Sequence, residues 1–310
     1  MDIEKSLEKI KDGSKAIVNL CRQIGPWVIS YCDQLSKLKT AHDLRTTGVK
    51  LLEKEMALEI ETIAGIKKSK MEQYYSASKE ERIFIRRDID ELEKEGRRFQ
   101  TMLGAVNLLP EQTTDESEKE ISPHWIDKFN ELARARNEDW RQELLSKALA
   151  LEATKPGSIS PRALWLIGTL EEEAFHAYAT LLDLSSNIGG GYIIPDEDKY
   201  ENTRIPSCPL GKNLKIGNLT FMLSDLGLLG DFSTSVRTFE SGKKFIASYD
   251  SEKIEAEFLK DIKIRGAIPT KLGHKVAKLY TPKRNTLGEE IFKSWLEKAS
   301  KNQIKILESS

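Results

Sequence analysis

Residues 122–175 read SPHWIDKFNELARARNEDWRQELLSKALALEATKPGSISPRALWLIGTLEEEAF, and this stretch decides the class of the fold. Two pairs, Ser122-Pro123 and Ser160-Pro161, each place a good N-cap before a residue suited to the first helical position. Apolar residues recur between these pairs at helical spacing, and Lys155-Pro156-Gly157 interrupts the run. The stretch predicts a compact helical unit of three short elements over residues 123–184.

The N-terminal third predicts long helices that form a hairpin or coiled-coil arm. Gly25-Pro26 indicates a break between the first helix and the next, and Ser78 followed by Glu81 is a capping box that opens another helix. The helix from Lys79 to Arg98 carries fourteen charged residues in twenty. Its few apolar positions predict a narrow seam made of Ile83, Phe84, Ile85, Ile89 and Leu92.

The C-terminal third mixes strands and helices and predicts an α+β domain. A helix that ends at Gly227, a hairpin about a Ser-Gly turn, and a helix N-capped by Thr270 follow one another in an order similar to a winged-helix domain. Gly189-Gly190-Gly191 predicts a flexible joint ahead of this domain. The predicted strands are Tyr192–Ile194, Arg237–Phe239, Phe245–Tyr249 and Ile262–Ile264, of which the second and third form the hairpin.

These patterns together predict a mainly α protein with a C-terminal α+β part. Its 310 residues fit two or three domains. We expect an N-terminal helical arm over residues 1–110, a central helical bundle over 123–186, and a winged-helix-like C-terminal domain over 192–310.

Composition excludes several classes of protein. Lys+Arg number 48 and Asp+Glu 49, so neither a polyanion-coating protein nor an acidic disordered chain is expected. No apolar run reaches the roughly 18 residues of a membrane helix, and the first residues lack the apolar stretch of a signal peptide. Three scattered cysteines, Cys21, Cys32 and Cys208, favour reduced thiols. We expect a cytoplasmic protein with no membrane span.

No constellation of side chains predicts catalysis, a cofactor or a metal ion. Glu172 and His176, four residues apart on one helix face, form half of a metal site, and an ion pair is the simpler interpretation. The three glycines at 189–191 lack the Lys-Ser/Thr of a phosphate loop and precede a strand. The sequence therefore favours a protein that is not an enzyme.

Positive charge is concentrated at the C-terminal end. Residues 265–310 carry ten Lys+Arg and four Asp+Glu. A basic helix face beside a wing suits phosphate contact, and the alternative is a solvated basic end that contacts acidic protein surface. The candidate nucleic-acid contacts are Lys271, Lys275, Lys278, Lys283 and Arg284.

A structural motif is predicted at the turn inside residues 152–162. Glu152 ends one helix, Pro156-Gly157 turns the chain, and Ser160 caps the next helix. Arg162 is expected to pair with Glu152 across the turn. The alternative is a ligand pocket on the helix N-terminus, because that end attracts anions.

The same region carries a resemblance to known proteins. After Trp140, residues 144–152 follow the pattern LLxxxLxxE, and residues 156–164 follow PGSxSxRxL. Through these motifs the chain resembles an uncharacterised bacterial family defined by a domain of unknown function, and its layout is similar to that of the abortive-infection alpha family. The resemblance implies a bacterial or prophage cytoplasmic protein with relatives in phage defence, and it implies no catalytic residue.

We therefore expect a non-enzymatic sensor or adaptor that acts through protein–protein contacts and forms a homo-oligomer. The alternative function is a DNA-binding regulator that uses the basic C-terminal face. An enzyme with a site around Glu172 and His176 is the third hypothesis.

Overall fold

The computed structural model describes residues 47–109, 119–196, 200–206, 211, 214–230 and 235–309. They divide into two compact units, one that ends at Thr169 and one that begins at Leu170. The third helix predicted for the central bundle is in fact two helices, and the unit boundary lies between them. The predicted break at Gly25-Pro26 and the three cysteines lie outside the described residues.

The described part of the first unit is helical. Helices α1 and α2 form an antiparallel hairpin, and α3 and α4 pack against α2, while α5 packs against α3 and α4. The predicted hairpin and the predicted capping box at Ser78 are confirmed. The helices are α1 (Val49–Ser76), α2 (Lys79–Asn107), α3 (Pro123–Ala135), α4 (Asp139–Thr154) and α5 (Pro161–Thr169).

Aromatic packing holds the bundle at the base of the hairpin. Trp125 and Phe129, one turn apart on α3, are fully buried with their rings stacked 5.6 Å apart. The Trp125 indole Nε1 donates to the carbonyl of Ile159 at 2.9 Å, so its one polar atom is satisfied inside the core. The core therefore connects α3 directly to the turn before α5.

The second unit contains a seven-stranded antiparallel sheet and four helices among the described residues. The strand order is β3-β6-β2-β1-β4-β5-β7. The helices are α6 (Glu172–Leu184), α7 (Ile216–Asp225), α8 (Lys271–Ala277) and α9 (Thr286–Asn302). The strands are β1 (Ser186–Ile188), β2 (Tyr192–Pro195), β3 (Val236–Phe239), β4 (Lys244–Tyr249), β5 (Glu252–Phe258), β6 (Ile262–Ala267) and β7 (Ile304–Ser309).

One face of this sheet carries the core of the second unit. Strands β4, β5 and β6 alternate buried and more exposed residues with period two, which places their apolar side chains on one face. On that face the rings of Phe239, Phe245 and Phe258 stack, with Phe245 and Phe258 only 3.9 Å apart. Helix α9 adds Phe292 and Trp295 to the same cluster.

Strand pairing corrects two predictions. The strands predicted as a wing hairpin exist as β3 and β4, but they do not pair with each other, since β3 pairs with β6 and β4 pairs with β1 and β5. Gly189-Gly190-Gly191 is the turn between β1 and β2, inside the second unit, and the predicted joint is wrong. Hydrogen bonding to β6 and stacking of Phe239 on Phe258 determine where β3 lies.

No helix in the described ranges is both long enough and apolar enough to cross a membrane.

Candidate functional site

The hairpin of α1 and α2 closes with a short, well-defined turn. Ser78 is the N-cap of α2, and its Oγ accepts from the Glu81 backbone N–H at 3.4 Å. The Glu81 carboxylate accepts in return from the Ser78 N–H at 2.9 Å, and these contacts lower the pKa of Glu81. This reciprocal cap stops α1 and starts α2 within two residues, so the two helices run side by side.

Near its base, the hairpin is held by apolar packing. Leu52 and Met56 of α1 are buried, and so are Phe99, Met102 and Ala105 of α2. Burial of each of the four larger side chains contributes about 1.5–3 kcal/mol. This end of the hairpin therefore has an ordinary hydrophobic interior.

Further out, polar contacts also join the two helices. Lys70 pairs with Asp88 at 2.7 Å, and Lys67 pairs with Glu93 at 2.7 Å. Arg82 donates from Nε to the Tyr74 carbonyl at 3.1 Å, which satisfies an orphan acceptor at the end of α1.

A second arginine contacts the Tyr74 side chain. Arg86 donates to the Tyr74 hydroxyl at 3.0 Å, and this hydrogen bond lowers the pKa of Tyr74. The distal hairpin is thus held by ion pairs and hydrogen bonds.

Apolar side chains of the distal hairpin lie on its outside. Tyr75 is 75% exposed, Ile83 is 70% exposed and Phe84 is 60% exposed. The contacts of Lys70 with Asp88 and of Arg82 with Tyr74 place residues 75 and 83 at the same level of the hairpin. We call Tyr75, Ile83 and Phe84 the hairpin tip.

Cations surround the hairpin tip. The Arg87 guanidinium lies 5.7 Å from the centre of the Phe84 ring, and Arg82 lies 5.3 Å from the Tyr74 ring. Exposed aromatic residues next to arginine are typical of the centre of protein–protein interfaces. The arrangement can therefore bind an apolar pocket that has acidic groups at its border.

The tip was only partly predicted. Ile83 and Phe84 were assigned to the seam, and this is wrong for both, whereas Ile85, Ile89 and Leu92 are half-buried. The signal was available, because successive helix residues point about 100° apart and three consecutive apolar residues cannot all face one narrow seam. Tyr75 was missed.

The residues of the predicted turn motif lie together at the turn between α4 and α5. Glu152 is buried, and its carboxylate accepts from the backbone N–H of Gly157 at 2.6 Å and of Ile159 at 2.9 Å. Ser160 Oγ accepts from Ala163 N–H at 3.3 Å, with Pro161 as the first residue of α5. The predicted pairing of Arg162 with Glu152 is not formed: Arg162 is exposed, and the backbone amides take its place.

The structure separates the five candidate nucleic-acid contacts. Lys271, Lys275 and Lys278 lie on or directly after α8, with Lys271 and Lys278 exposed. Lys283 and Arg284 lie in the loop before α9.

Arg284 is occupied by contacts within its own unit. Its guanidinium donates to the Ser185 carbonyl at 2.7 Å and lies 4.7 Å from the Tyr249 ring centre. Asp183 holds the same loop, because it accepts from Tyr280 Oη at 3.0 Å and from the Lys283 N–H at 2.5 Å. Burial raises the pKa of Asp183 in spite of these contacts.

Glu172 and His176 are close but gather no further ligand. Their side chains approach to 3.5 Å on an exposed helix face. Within the described ranges, no group of three or more His, Cys, Asp or Glu side chains could hold a metal ion.

Comparison with known proteins identifies a family but no function. Residues 81–290, about two thirds of the chain, match a family model described as a protein of unknown function, DUF2806. No curated protein and no solved structure matches the chain.

Proposed function

We propose that this chain, which belongs to the DUF2806 family of unknown function, is a non-enzymatic sensor or adaptor that binds a protein partner through the hairpin tip. One observation carries the proposal: the three large apolar side chains of the tip are at least 60% exposed, although other apolar residues of α2 are half-buried. Exposed apolar side chains add little to the stability of the hairpin itself, because apolar burial is the main source of that stability.

The size of the tip fits the centre of a contact. An aromatic side chain can bury about 150–250 Å², so Tyr75 and Phe84 together can supply roughly half of the ~800 Å² that each partner of a stable interface buries. The charged flanks would supply the rest as a polar rim. The tip is therefore too small to be a complete dimer interface, and it suits insertion into a pocket of another protein.

Charge selects the chemistry of that partner. Arg82, Arg86 and Arg87 border the tip, whereas Glu81 and Asp88 are engaged by Ser78 and Lys70. Glu80, one helical turn before Phe84, is the acidic residue beside the tip on the same helix. We expect an apolar pocket with carboxylates at its edge, since complementary charge speeds association and excludes wrong partners. Binding should weaken as salt concentration rises.

The test compares two double variants of the full chain. The tip variant, Ile83→Ser with Phe84→Ser, removes two of the three apolar tip residues. The control variant, Leu58→Ser with Ile66→Ser, removes two exposed apolar residues elsewhere on the same hairpin. Partners are captured from the native host, identified by mass spectrometry, purified and titrated against each variant. The tip variant should bind at least about tenfold more weakly, and the matched control within about twofold.

Two results would contradict the proposal. A purified partner that binds the tip variant and the control equally would place the contact elsewhere. Light scattering that shows an oligomer of this chain, lost in the tip variant and formed without any other protein, would also contradict it. The tip would then be the contact of the homo-oligomer expected from the sequence.

A role in phage defence is a separate proposal that only the resemblance to the abortive-infection alpha family supports. Expression of the chain should lower the plaque-forming efficiency of a susceptible phage, and the tip variant should restore it. Equal plaque numbers with and without the chain would contradict this role for the phages tested.

DNA binding through the basic face of α8 is a second candidate function. Exposed Lys271 and Lys278 at α8 support it. Arg284 is engaged by the Ser185 carbonyl, so it contributes less positive charge for binding DNA. A duplex titrated across a salt series should bind with a steep salt dependence that charge reversal at Lys271, Lys275 and Lys278 removes. Unchanged affinity of that variant would exclude the face.

A further inference from the structure

The three-glycine turn between β1 and β2 is built around an arginine of a distant strand. Arg237 of β3 donates from Nη2 to the Gly189 carbonyl at 2.7 Å. Gly189 and Gly190 have φ of 59° and 80°, which favours glycine. A Cβ at Gly191 would lie 2.2 Å from Nη1 of Arg237, so only glycine fits without displacing the guanidinium.

The charge of Arg237 has no counter-ion in the described part of the chain. Burial is the only cause that lowers its pKa, and no carboxylate opposes that effect. The guanidinium lies 5.2 Å from the Phe239 ring centre, and its Nη1 is buried without a hydrogen-bond acceptor. A half-buried cation of this kind is costly unless an anion compensates it.

Helix α8 adds two more basic groups at the same place. His274 is half-buried, and its pKa is lowered by burial and by the positive charges of Arg237 and Lys278, which are the charged groups that face it. His274 and Lys278 are four residues apart, so their side chains lie on one side of the helix. The charges of Arg237 on β3 and of Lys278 at the end of α8 thus both act on the His274 imidazole.

We propose that Arg237, His274 and Lys278 form a binding site for one phosphate-class oxyanion. An anion with two negative charges matches two fixed cations and an imidazole that becomes protonated on binding. The guanidinium is already oriented by the glycine turn and by Phe239, which reduces the entropy lost on binding. This site lies in the unit that begins at Leu170 and does not depend on the hairpin tip.

The imidazole of His274 gives a direct readout in the full chain. Inorganic phosphate is titrated at constant pH while the histidine ring protons are followed by NMR, and the His274 signal is assigned by its loss in His274→Gln. Phosphate should shift this signal saturably and raise the pH at which it titrates, because a bound anion favours the charged imidazole. Sodium chloride at matched ionic strength separates binding from charge screening.

Variants locate the site. Lys278→Gln changes an exposed side chain and should weaken phosphate binding about tenfold, and Arg237→Gln should weaken it at least as much. The matched control is Lys260→Gln, an exposed lysine of the same unit in the turn between β5 and β6. If Arg237→Gln unfolds, Lys278→Gln still decides the question.

Oligonucleotides distinguish the two sources of the phosphate. Competition by a 5′-phosphorylated single strand, and not by the same strand without phosphate, would assign the site to a nucleic-acid end; phosphate binding without such competition would assign it to a small phosphorylated molecule. Either result supports the site. A His274 signal that chloride shifts as much as phosphate does, or equal phosphate affinity of Lys278→Gln and Lys260→Gln, would overturn it.

Discussion

Replacement of Glu152 by alanine should destabilise the first unit. The Glu152 side chain is 3% exposed, and its carboxylate accepts from the buried N–H of Ile159 and from the part-buried N–H of Gly157. A hydrogen bond to a charged group contributes about 1.5–3 kcal/mol, and a buried donor left without a partner costs about 1–3 kcal/mol. Because the Ile159 N–H loses its acceptor inside the core, whereas the N–H of the exposed residue Gly157 can bind water, Glu152→Ala should lower the free energy of unfolding by about 2–3 kcal/mol.

Urea unfolding followed by tryptophan fluorescence measures this loss. The turn is joined to the core through the hydrogen bond from Trp125 to the Ile159 carbonyl, so the transition of the first unit should report it. Glu143→Ala is the matched control on α4, because Glu143 forms an exposed pair with Lys147 at 2.6 Å. That pair should contribute about 0–0.5 kcal/mol.

Arg162→Ala tests whether the Glu152 carboxylate is stabilised by backbone amides or by the guanidinium of Arg162. Arg162 is exposed, and its replacement should change the free energy of unfolding by less than about 0.5 kcal/mol. A loss as large as that of Glu152→Ala would mean that Arg162 compensates the buried charge, and the assignment to backbone amides would be refuted. Equal losses for Glu143→Ala and Glu152→Ala would refute it as well.

Three further predictions concern local geometry and pH. Gly65→Ala on α1 should raise the free energy of unfolding by about 0.5–1 kcal/mol, because its Cβ meets open space, whereas Gly273→Ala should lower it by about 1–3 kcal/mol, because its Cβ would lie 2.0 Å from the Leu228 carbonyl oxygen. Ser78→Ala should cost about 0.5–2 kcal/mol through loss of the N-cap, seen as faster hydrogen exchange at the start of α2. Burial raises the pKa of Asp183, so the folded state favours the protonated carboxyl. The protonated carboxyl contributes its full stability to the fold below the unfolded-state pKa of about 3.9. This contribution is lost as pH rises through the higher pKa of the folded state. The urea midpoint of Asp183→Asn minus that of the unmodified chain should therefore increase from about pH 4 to pH 7.

Each of these predictions has an opposite outcome. Equal effects of the two glycine replacements would contradict the close approach of α8 to the Leu228 carbonyl. Unchanged exchange in Ser78→Ala would mean that the reciprocal cap is not maintained in solution. A midpoint difference for Asp183→Asn that shrinks as pH rises would show that the contacts from Tyr280 and Lys283 outweigh burial.

The candidate site could be predicted only in outline. Charge density in residues 79–98 indicated a hairpin with a narrow seam, and the capping box gave the start of α2. The orientation of Ile83 and Phe84 depends on which residues α1 presents to α2, and Lys70, Lys67 and Tyr74 take those positions. The sequence of α2 alone does not contain that information.

In the second unit, too, some strands could be predicted from the sequence but their pairing could not. Strands at Phe245–Tyr249 and Ile262–Ile264 were predicted from apolar patterning, whereas β5 and β7 were missed, although residues 252–258 alternate with period two. Their pairing was not predictable, because Ile194 of β2 pairs with Ala267 of β6, far along the chain. Long-range pairing of this kind is decided by the packing of whole faces.

The sequence by itself determined where several of the helices begin or end. Ser78, Ser160-Pro161, Thr270 and Gly227 act through atoms three or four residues away, so neighbouring residues are sufficient to predict them. Only the tertiary structure decided that Glu152 binds backbone amides and that the glycine turn encloses a distant arginine. In both cases a side chain could bind several partners, and it meets those partners only when the chain has folded. The choice among them therefore depends on contacts that are absent from the extended chain.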